Sequence, residues 1–504
     1  MGAGKETEKQ GHGSQIPYAE PPWVCGLPSP YIRDSHHQLQ RAMREWVETN
    51  LIPNVSDWEK SGTLPDDLYK ACAEAGILMP MAAGAKIPSE WRDSYPIIGE
   101  IKADEWDGFH DFIIHDEMMR VGGIGIPNGL IGGLTLCIPA ILKHGKGAAI
   151  DRIIHDALSG KSRFSLAVTE PEAGSDVQGI TTTATLSADT THYTVNGQKK
   201  WITGGMYADF FLTLTRTADR KFTLLVIPMD SDTVTVRPMQ MCGSTCAGTA
   251  FVEFDETVVP VTNRVGEDGG GFACVMSNFN HERLFISFQS LRCARMCLED
   301  AVSYVALFAQ HPPPPFPLTQ CSLERKKIHT RYPARHLVRN WSHMVRRLTI
   351  PPEHPDARRK NLFPPFESSI DNVLTVTAVV RHKLAHMARE VEALQSWIET
   401  LIYQLTQLPT HTATALLAGQ TAQLKAHSGI VLERVVSQAI QLLGGPGLTR
   451  GVGGRGERVE RIWRDVKAIT VPGGSEDILL DLSIRRAVMG FSGSGGATAR
   501  RARI

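Results

Sequence analysis

The sequence has no excess of charge of either sign: among 504 residues, Lys plus Arg and Asp plus Glu both number 53. No long basic run precedes the last few residues, which argues against nucleic acid as a partner. Cysteine is sparse and unpatterned. The nine cysteines, at 25, 72, 137, 242, 246, 274, 293, 297 and 321, include no Cys-x-x-Cys pair, which fits a reducing intracellular compartment, and no metal site is expected. Long apolar runs are nearly missing too. Only Val121–Leu142 carries no charge, and its six glycines and two prolines, Pro127 and Pro139, make it a buried helix and turn rather than a membrane span.

Targeting signals are equally scarce. No secretory signal precedes the cysteines, and MGAGKETEKQGHG is polar, mixed in charge and glycine-rich rather than an Arg-rich amphipathic transit peptide. Glu6 stands where a myristoylation signal has Ser or Thr. The final Ala502-Arg503-Ile504, after a Gly/Ser/Arg tail, approximates a peroxisomal address and reads equally well as a frayed end. A peroxisomal or cytoplasmic location is the expectation, with residues 1–35 disordered and 490–504 flexible.

What is present is a length that calls for two to four domains and an interior large enough to enclose a cofactor. From 36 to 160 the period is helical, with Leu39, Met43, Trp46 and Val47, and then Leu68, Cys72, Ala75 and Leu78, at three- and four-residue spacing. Between 161 and 266 the period changes. Runs at Thr181–Leu186, His192–Val195, Phe210–Thr215, Phe222–Pro228, Val234–Arg237 and Ala250–Phe254 are rich in Thr, Val and Phe, and predict an antiparallel β-barrel or sandwich. From 267 to 489 helices return at Phe279–Val305, Val380–Leu405, Ala415–Leu443 and Ser475–Met489, a bundle of four or five. The order predicts an α+β multidomain protein: an all-α domain, a β domain and a second α domain. An irregular insertion at about 309–376, with four consecutive prolines from Pro312, interrupts the last one.

Two short segments carry chemistry. In Leu166–Ser175, LAVTEPEAGS, followed by Asp176, glycine and small hydroxylated residues let backbone amides approach a flat or anionic ligand, and Thr169 and Ser175 are donors. In Lys199–Gly205, KKWITGG, a Trp can lie against a ring system while Thr203 donates a hydrogen bond. Each alone is an ordinary β turn or strand end more often than a site.

Together with VPVTNRVGEDGGGF, FNHER at 279–283, VVRHKLAHMAREVE at 379–392, QLLGGPG and ERIWRDVKAI at 460–469, these segments resemble the acyl-CoA dehydrogenase family, and most closely its filamentous-fungal members. The resemblance runs from about His36 to Met489 outside the insertion. It implies FAD as cofactor, with contacts from Leu166, Val168, Thr169, Gly174, Ser175, Trp201, Thr203, Ser475 and Glu476. It also implies Gln441, Leu442, Leu443, Gly444 and Gly445 acting across a subunit interface, hence a homodimer or homotetramer. The acyl-CoA would meet Ser175, Asn280, His281, Arg283 and Gly474. Electrons would pass to an electron-transfer flavoprotein or to oxygen.

The family's reaction uses a carboxylate to remove the proton α to the thioester, and a dry pocket raises its pKa toward neutrality. Counting from Arg464-Asp465, the commonest position of that base is Gly473. Some branches place the base on an earlier helix directly before an Arg, which here is Glu282; the plainer reading is a helix carboxylate paired with a neighbouring Arg. Glu476 and Asp477 are better suited to capping the last helix. The family's Arg-x-x-Phe-Gly stretch, expected shortly after Tyr304, is replaced by VALFAQHPPPPF, so the insertion looks like substituted, aberrant sequence. The function implied is α,β-dehydrogenation of an acyl-CoA, with a place in fungal secondary metabolism. The alternatives are a flavin oxidase of the same fold and a catalytically impaired flavoprotein or scaffold.

Overall fold

The computed structural model of the chain describes residues 13–229, 232–310, 378–451 and 454–493. Two compact units emerge, one of residues 1–302 and 382–504 and a second of 303–381. Among its described residues the second unit contains only helix ends. The first half of the replaced stretch, 305–310, continues helix α10; its second half and the expected insertion from 311 to 376 lie outside the described residues.

The N-terminal part of the first unit is helical: α1 (Asp34–Asn50), α2 (Val55–Ser61), α3 (Leu68–Glu74), α4 (Leu78–Ala83), α5 (Gly108–Met118), α6 (Gly125–Pro127), a π-helical turn over Asn128–Gly132, α7 (Gly133–His144) and α8 (Ala148–Leu158). Leu39, Met43 and Val47 form the buried stripe that the spacing in α1 predicts. Every residue of α5 is buried. Its Asp107 N-cap accepts from the backbone N–H groups of Phe109 and His110, and its buried acids require cationic partners from elsewhere. Arg44 donates to Glu117 at 2.6 Å, and Arg292 pairs with Asp116, Nε at 3.0 Å.

This demand for partners corrects the expectation that 1–35 is disordered, at least from residue 13 onward. Ala19, Glu20 and Trp23 are buried, and Glu20 accepts hydrogen bonds from Arg44, Arg120 and Arg292 at 3.0, 3.0 and 3.2 Å. Burial alone would raise the Glu20 pKa; the three guanidinium groups hold it down to about 2. The arginines lie 24, 100 and 272 residues away in the chain, so nothing near Glu20 announces the anchor.

The central domain is a single eight-stranded sheet of β1 (Phe164–Ala167), β2 (Thr183–Leu186), β3 (His192–Ile202), β4 (Phe210–Ala218), β5 (Lys221–Pro228), β6 (Val234–Pro238), β7 (Ala250–Pro260) and β8 (Arg264–Val265). Its order is β6-β7-β3-β2-β4-β5-β8, with β1 added to β4. It is mixed and open rather than an antiparallel barrel, because β1 and β2 both run parallel to β4. Strand direction leaves no mark on an alternating pattern, which is the same for either sense. Tyr193, Val195, Phe211, Ile227, Val252 and Phe254 fill the core on one face.

The helices that follow are α9 (Gly271–Met276), α10 (Phe279–Gln310), α11 (Ala378–Gln407), α12 (Thr410–Leu443), α13 (Arg455–Thr470) and α14 (Glu476–Gly493). Helix α12 packs against both α13 and α14. Periodicity does not reveal α13, whose apolar positions are interrupted by charged ones; its Arg461 and Asp465 are buried and bind backbone at Gly122, Ile124 and Ser244.

The apolar stretch Gly125–His144 lies in the interior, with Leu130, Leu134, Ile138 and Ile141 buried. Gly133 brings α7 hard against β1: a Cβ there would stand 1.5 Å from the Phe164 carbonyl oxygen. Gly133→Ala is therefore expected to destabilise the fold by about 3 kcal/mol, read as a lower urea midpoint; a midpoint within error of the parent would show that α7 and β1 can part freely.

Candidate active site

Helix α10 begins beside a narrow pocket lined by Leu136, Ala140, Leu166, Leu212, Val275, Asn278, Phe279 and Glu282. Five elements or their junctions, α7, β1, β4, α9 and the start of α10, supply these walls. Asn278 fixes the junction by donating its amide to the carbonyls of Thr135 and Leu136, both at 3.3 Å. Glu282 is the one titratable lining residue, and it is 8% exposed. Burial pushes its carboxyl up to about 7, against the opposing charges of Arg283, Lys425 and His281. A carboxyl at that value suits a base working near neutrality.

Gly473, at the commonest position of the family's base, lies beside this same carboxyl. A Cβ built on it would be 3.6 Å from Glu282 Oε1 and 2.8 Å from Ile286 Cδ1. Its φ of +70° is the left-handed region that favours glycine. Two positions far apart in sequence thus address one space, and here the helix position fills it. The turn around Gly473 is gripped from two sides: Arg283 Nε donates to the Gly473 carbonyl at 3.1 Å, and Lys425 Nζ donates to those of Thr470 and Gly474 at 2.6 and 2.7 Å.

Of the expected acyl-CoA contacts, Asn280 is half-buried, whereas His281 and Arg283 are already engaged by the protein. His281 Nε2 pairs with Asp111 at 2.9 Å; burial would lower its pKa, yet the Asp111 charge raises it. Arg283 holds the Gly473 turn and lies over the Phe279 ring, 5.6 Å from its centre. The simple pairing of Glu282 with its neighbour Arg283 is not what the side-chain geometry shows, since Arg283 Nε turns to backbone.

The TEPEAGSD turn is built on a buried ion pair. Lys199 Nζ donates to Glu170 at 2.8 Å and also to the carbonyls of Val168 and Leu214 at 3.0 and 2.7 Å. Glu170 in turn accepts from the backbone N–H groups of Thr181 and Thr182 at 2.6 and 2.9 Å. Both ends of the motif are thereby tied to the sheet. Burial would raise the Glu170 carboxyl, but the Lys199 charge and these hydrogen bonds hold it down to about 2. Burial lowers Lys199 to about 8.

On this frame Thr169 receives the Lys200 N–H at 2.9 Å, Gly174 and Ser175 are exposed, and a Cβ on Gly174 would meet nothing within 4 Å. Trp201 sits at an irregularity in the β3–β7 register, 44% exposed, with φ +59°. An aromatic residue in that backbone region is strained, and such strain gathers at ligand sites. Thr203 is half-buried next to Gly132, and the Ser165 hydroxyl, buried by Gly204, has no hydrogen-bond partner among the described residues. An exposed indole, cleared space at Gly174 and an unsatisfied hydroxyl fit a flat polar ring system. Leu166 links this surface to the Glu282 pocket, and Val168 is buried behind it.

The remaining candidates lie elsewhere on the C-terminal helices. Gln441, Gly444 and Gly445 are exposed at the end of α12, with Leu442 half-buried and Leu443 buried. Ser475 precedes α14, and Glu476 and Asp477 occupy its first turn, where acids favour a helix start. Sequence reasoning found neither Lys425 nor Asp111 nor the Glu170–Lys199 pair, because each works through a partner distant in the chain.

Sequence profiles of the acyl-CoA dehydrogenase family match the chain in three pieces: the N-terminal domain at 33–161, the middle domain at 165–257 and the C-terminal domain at 371–488. The chain belongs to the acyl-CoA dehydrogenase family. It is an oxidoreductase by that membership. It is 37% identical to the acyl-CoA dehydrogenase apdG of Emericella nidulans over 95% of this chain and 96% of that one. With the acyl-CoA dehydrogenase AFT10-1 of Alternaria alternata it shares 28% identity over 94% and 96%. In fold it is similar to an acyl-CoA dehydrogenase from Bacillus anthracis complexed with FAD, at TM-score 0.66 and 20% identity, covering 92% of this chain and 69% of that one. The start of α10, with Glu282, falls between the middle and C-terminal profiles, so its role rests on geometry.

Removing Lys199 would leave Glu170 buried and unpaired. Lys199→Met is expected to cost about 3–5 kcal/mol of stability, measured by chemical denaturation. Because the folded Glu170 carboxyl lies below its ordinary value of 4.5, its contribution is complete above that pH and fades as pH falls toward 2. An unchanged midpoint in Lys199→Met would remove the pair from this role.

Proposed function

We propose that this acyl-CoA dehydrogenase family member binds FAD and dehydrogenates an acyl-CoA thioester between its α and β carbons, with Glu282 as the base. The observation that carries the reading is Glu282 itself: a lone titratable group in an apolar pocket, its carboxyl raised to about 7, beside the glycine that replaces the commoner base. Leu166, Val168, Thr169, Gly174, Ser175, Trp201 and Thr203 would hold the flavin, which when bound accepts the β hydrogen with its electron pair. Gln441–Gly445 of a second copy would complete the flavin site in a homodimer or homotetramer, with Ser475 and Glu476 nearby.

The chain's own part is positional and protic. Leu136, Ala140, Leu212 and Val275 exclude water around the acyl chain. Glu282, about half ionised near pH 7 and more so above it, takes the α proton and becomes the neutral acid that its burial favours. Ser175, Asn280 and Gly474 are the contacts assigned to the thioester and its CoA arm. The electrons would leave through an electron-transfer flavoprotein. A role in fungal secondary metabolism rests on the similarity to fungal relatives, and a peroxisomal or cytoplasmic location on the terminal Ala-Arg-Ile alone.

Glu282→Gln is expected to keep FAD bound while slowing anaerobic bleaching of the flavin by a reactive acyl-CoA by about a thousandfold. In the parent the bleaching rate should climb with pH through about 7, as the carboxylate form is populated. Undiminished bleaching by Glu282→Gln would eliminate Glu282 as the base.

A further inference from the structure

Lys425, in the middle of α12, is 2% exposed, which is rare for a lysine and requires compensation. Two of its three donors are accounted for by the carbonyls of Thr470 and Gly474, on either side of the turn that carries Gly473. Its charge has one carboxylate to answer it, Glu282. The Lys425 Cε and Glu282 Oε1 lie 3.8 and 3.6 Å from the same point, the Cβ that Gly473 lacks. A side chain at 473 would occupy that point; the glycine leaves it open beside the carboxyl and the end of the lysine stem.

We propose that Lys425 is a positioning residue for Glu282: its ammonium fastens the 470–474 turn and sets a fixed positive charge beside the carboxyl, favouring the ionised form that accepts the proton. The proposal rests on the reading of Glu282 as the base and extends it to the group that keeps a buried carboxyl usable. The other titratable groups facing Glu282 are His281 and Arg283 on its own helix and the Cys137 thiol on α7. The His281 charge is answered by Asp111, Arg283 Nε is held by the Gly473 carbonyl, and the thiol is pushed further from ionisation by burial. Arg283 and Lys425 are therefore the two cations that bear on Glu282, and Lys425 is the one that comes from a separate helix. Burial lowers Lys425 to about 8, and Glu282 works in the opposite sense.

The test is an infrared pH titration of the FAD-loaded protein without substrate, following the protonated carboxyl band that disappears in Glu282→Gln. Lys425→Met removes both the donors and the charge; Lys425→Gln removes the charge and keeps an N–H donor for the turn. In both, the Glu282 midpoint should rise by about one pH unit. The acid limb of flavin bleaching should move with it. If Lys425→Met does not fold, Lys425→Gln decides alone. A folded variant with an unmoved midpoint overturns the proposal. A shifted midpoint in a protein whose parent flavin no acyl-CoA bleaches would support the Lys425 coupling while refuting the base reading, so the two fail separately.

Discussion

A carboxyl buried in an apolar pocket resists ionisation, and at Glu282 that resistance meets cations placed around it. The balance leaves the group near neutrality, the range that suits the proposed role of base. The surrounding architecture serves this balance. Asn278 locks the start of α10 to α7, Arg283 and Lys425 grip the turn at Gly473 from two helices, and Asp111 engages His281. Gly473 is part of the same arrangement, since its missing side chain leaves the space that Glu282 and Lys425 address.

The flavin side follows a similar logic by different means. A buried lysine, Lys199, gathers two carbonyls and the Glu170 carboxylate, and through Glu170 the chain at Thr181 and Thr182. The loop bearing Thr169, Gly174 and Ser175 is thereby fixed at both ends while its tip stays open. Breaking such a pair costs more than the pair itself contributes, because one charge remains buried without an answer. Trp201 keeps its strained conformation at the adjoining irregularity of β3, between the pairings of Lys199 and Ile202 with β7.

Much of this was legible in the sequence, and the boundary of legibility has a physical cause. Three- and four-residue periodicity located α1 and the long C-terminal helices because each turns one stripe to the core, and TEPEAGSD with KKWITGG marked the proposed flavin surface because small residues and glycine are needed where backbone meets ligand. Glu282 was legible as the candidate base because Gly473 stands at the commoner position, and its burial in the pocket supports that reading. Strand direction was not legible: the runs between 161 and 266 read as antiparallel, yet β2, and β1 which is not among those runs, lie parallel to β4. Helix α13 escaped because its buried face carries Arg461 and Asp465. The arm from residue 13 read as polar and loose because Glu20 is satisfied by arginines as far as 272 residues away. Long-range partners leave no local pattern: Lys199 meets Glu170, 29 residues away, and Lys425 binds carbonyls 45 and 49 residues away.

The account stands on where Glu282 points when substrate is bound. A crystal structure of the protein with FAD and a slowly reacting acyl-CoA thioester measures this directly. The account predicts a Glu282 carboxylate oxygen within hydrogen-bond reach of the α carbon's departing proton, with Gly473 opposite and Lys425 still on the carbonyls of Thr470 and Gly474. An α carbon that faces another carboxylate, with Glu282 turned away from the acyl chain, would contradict it.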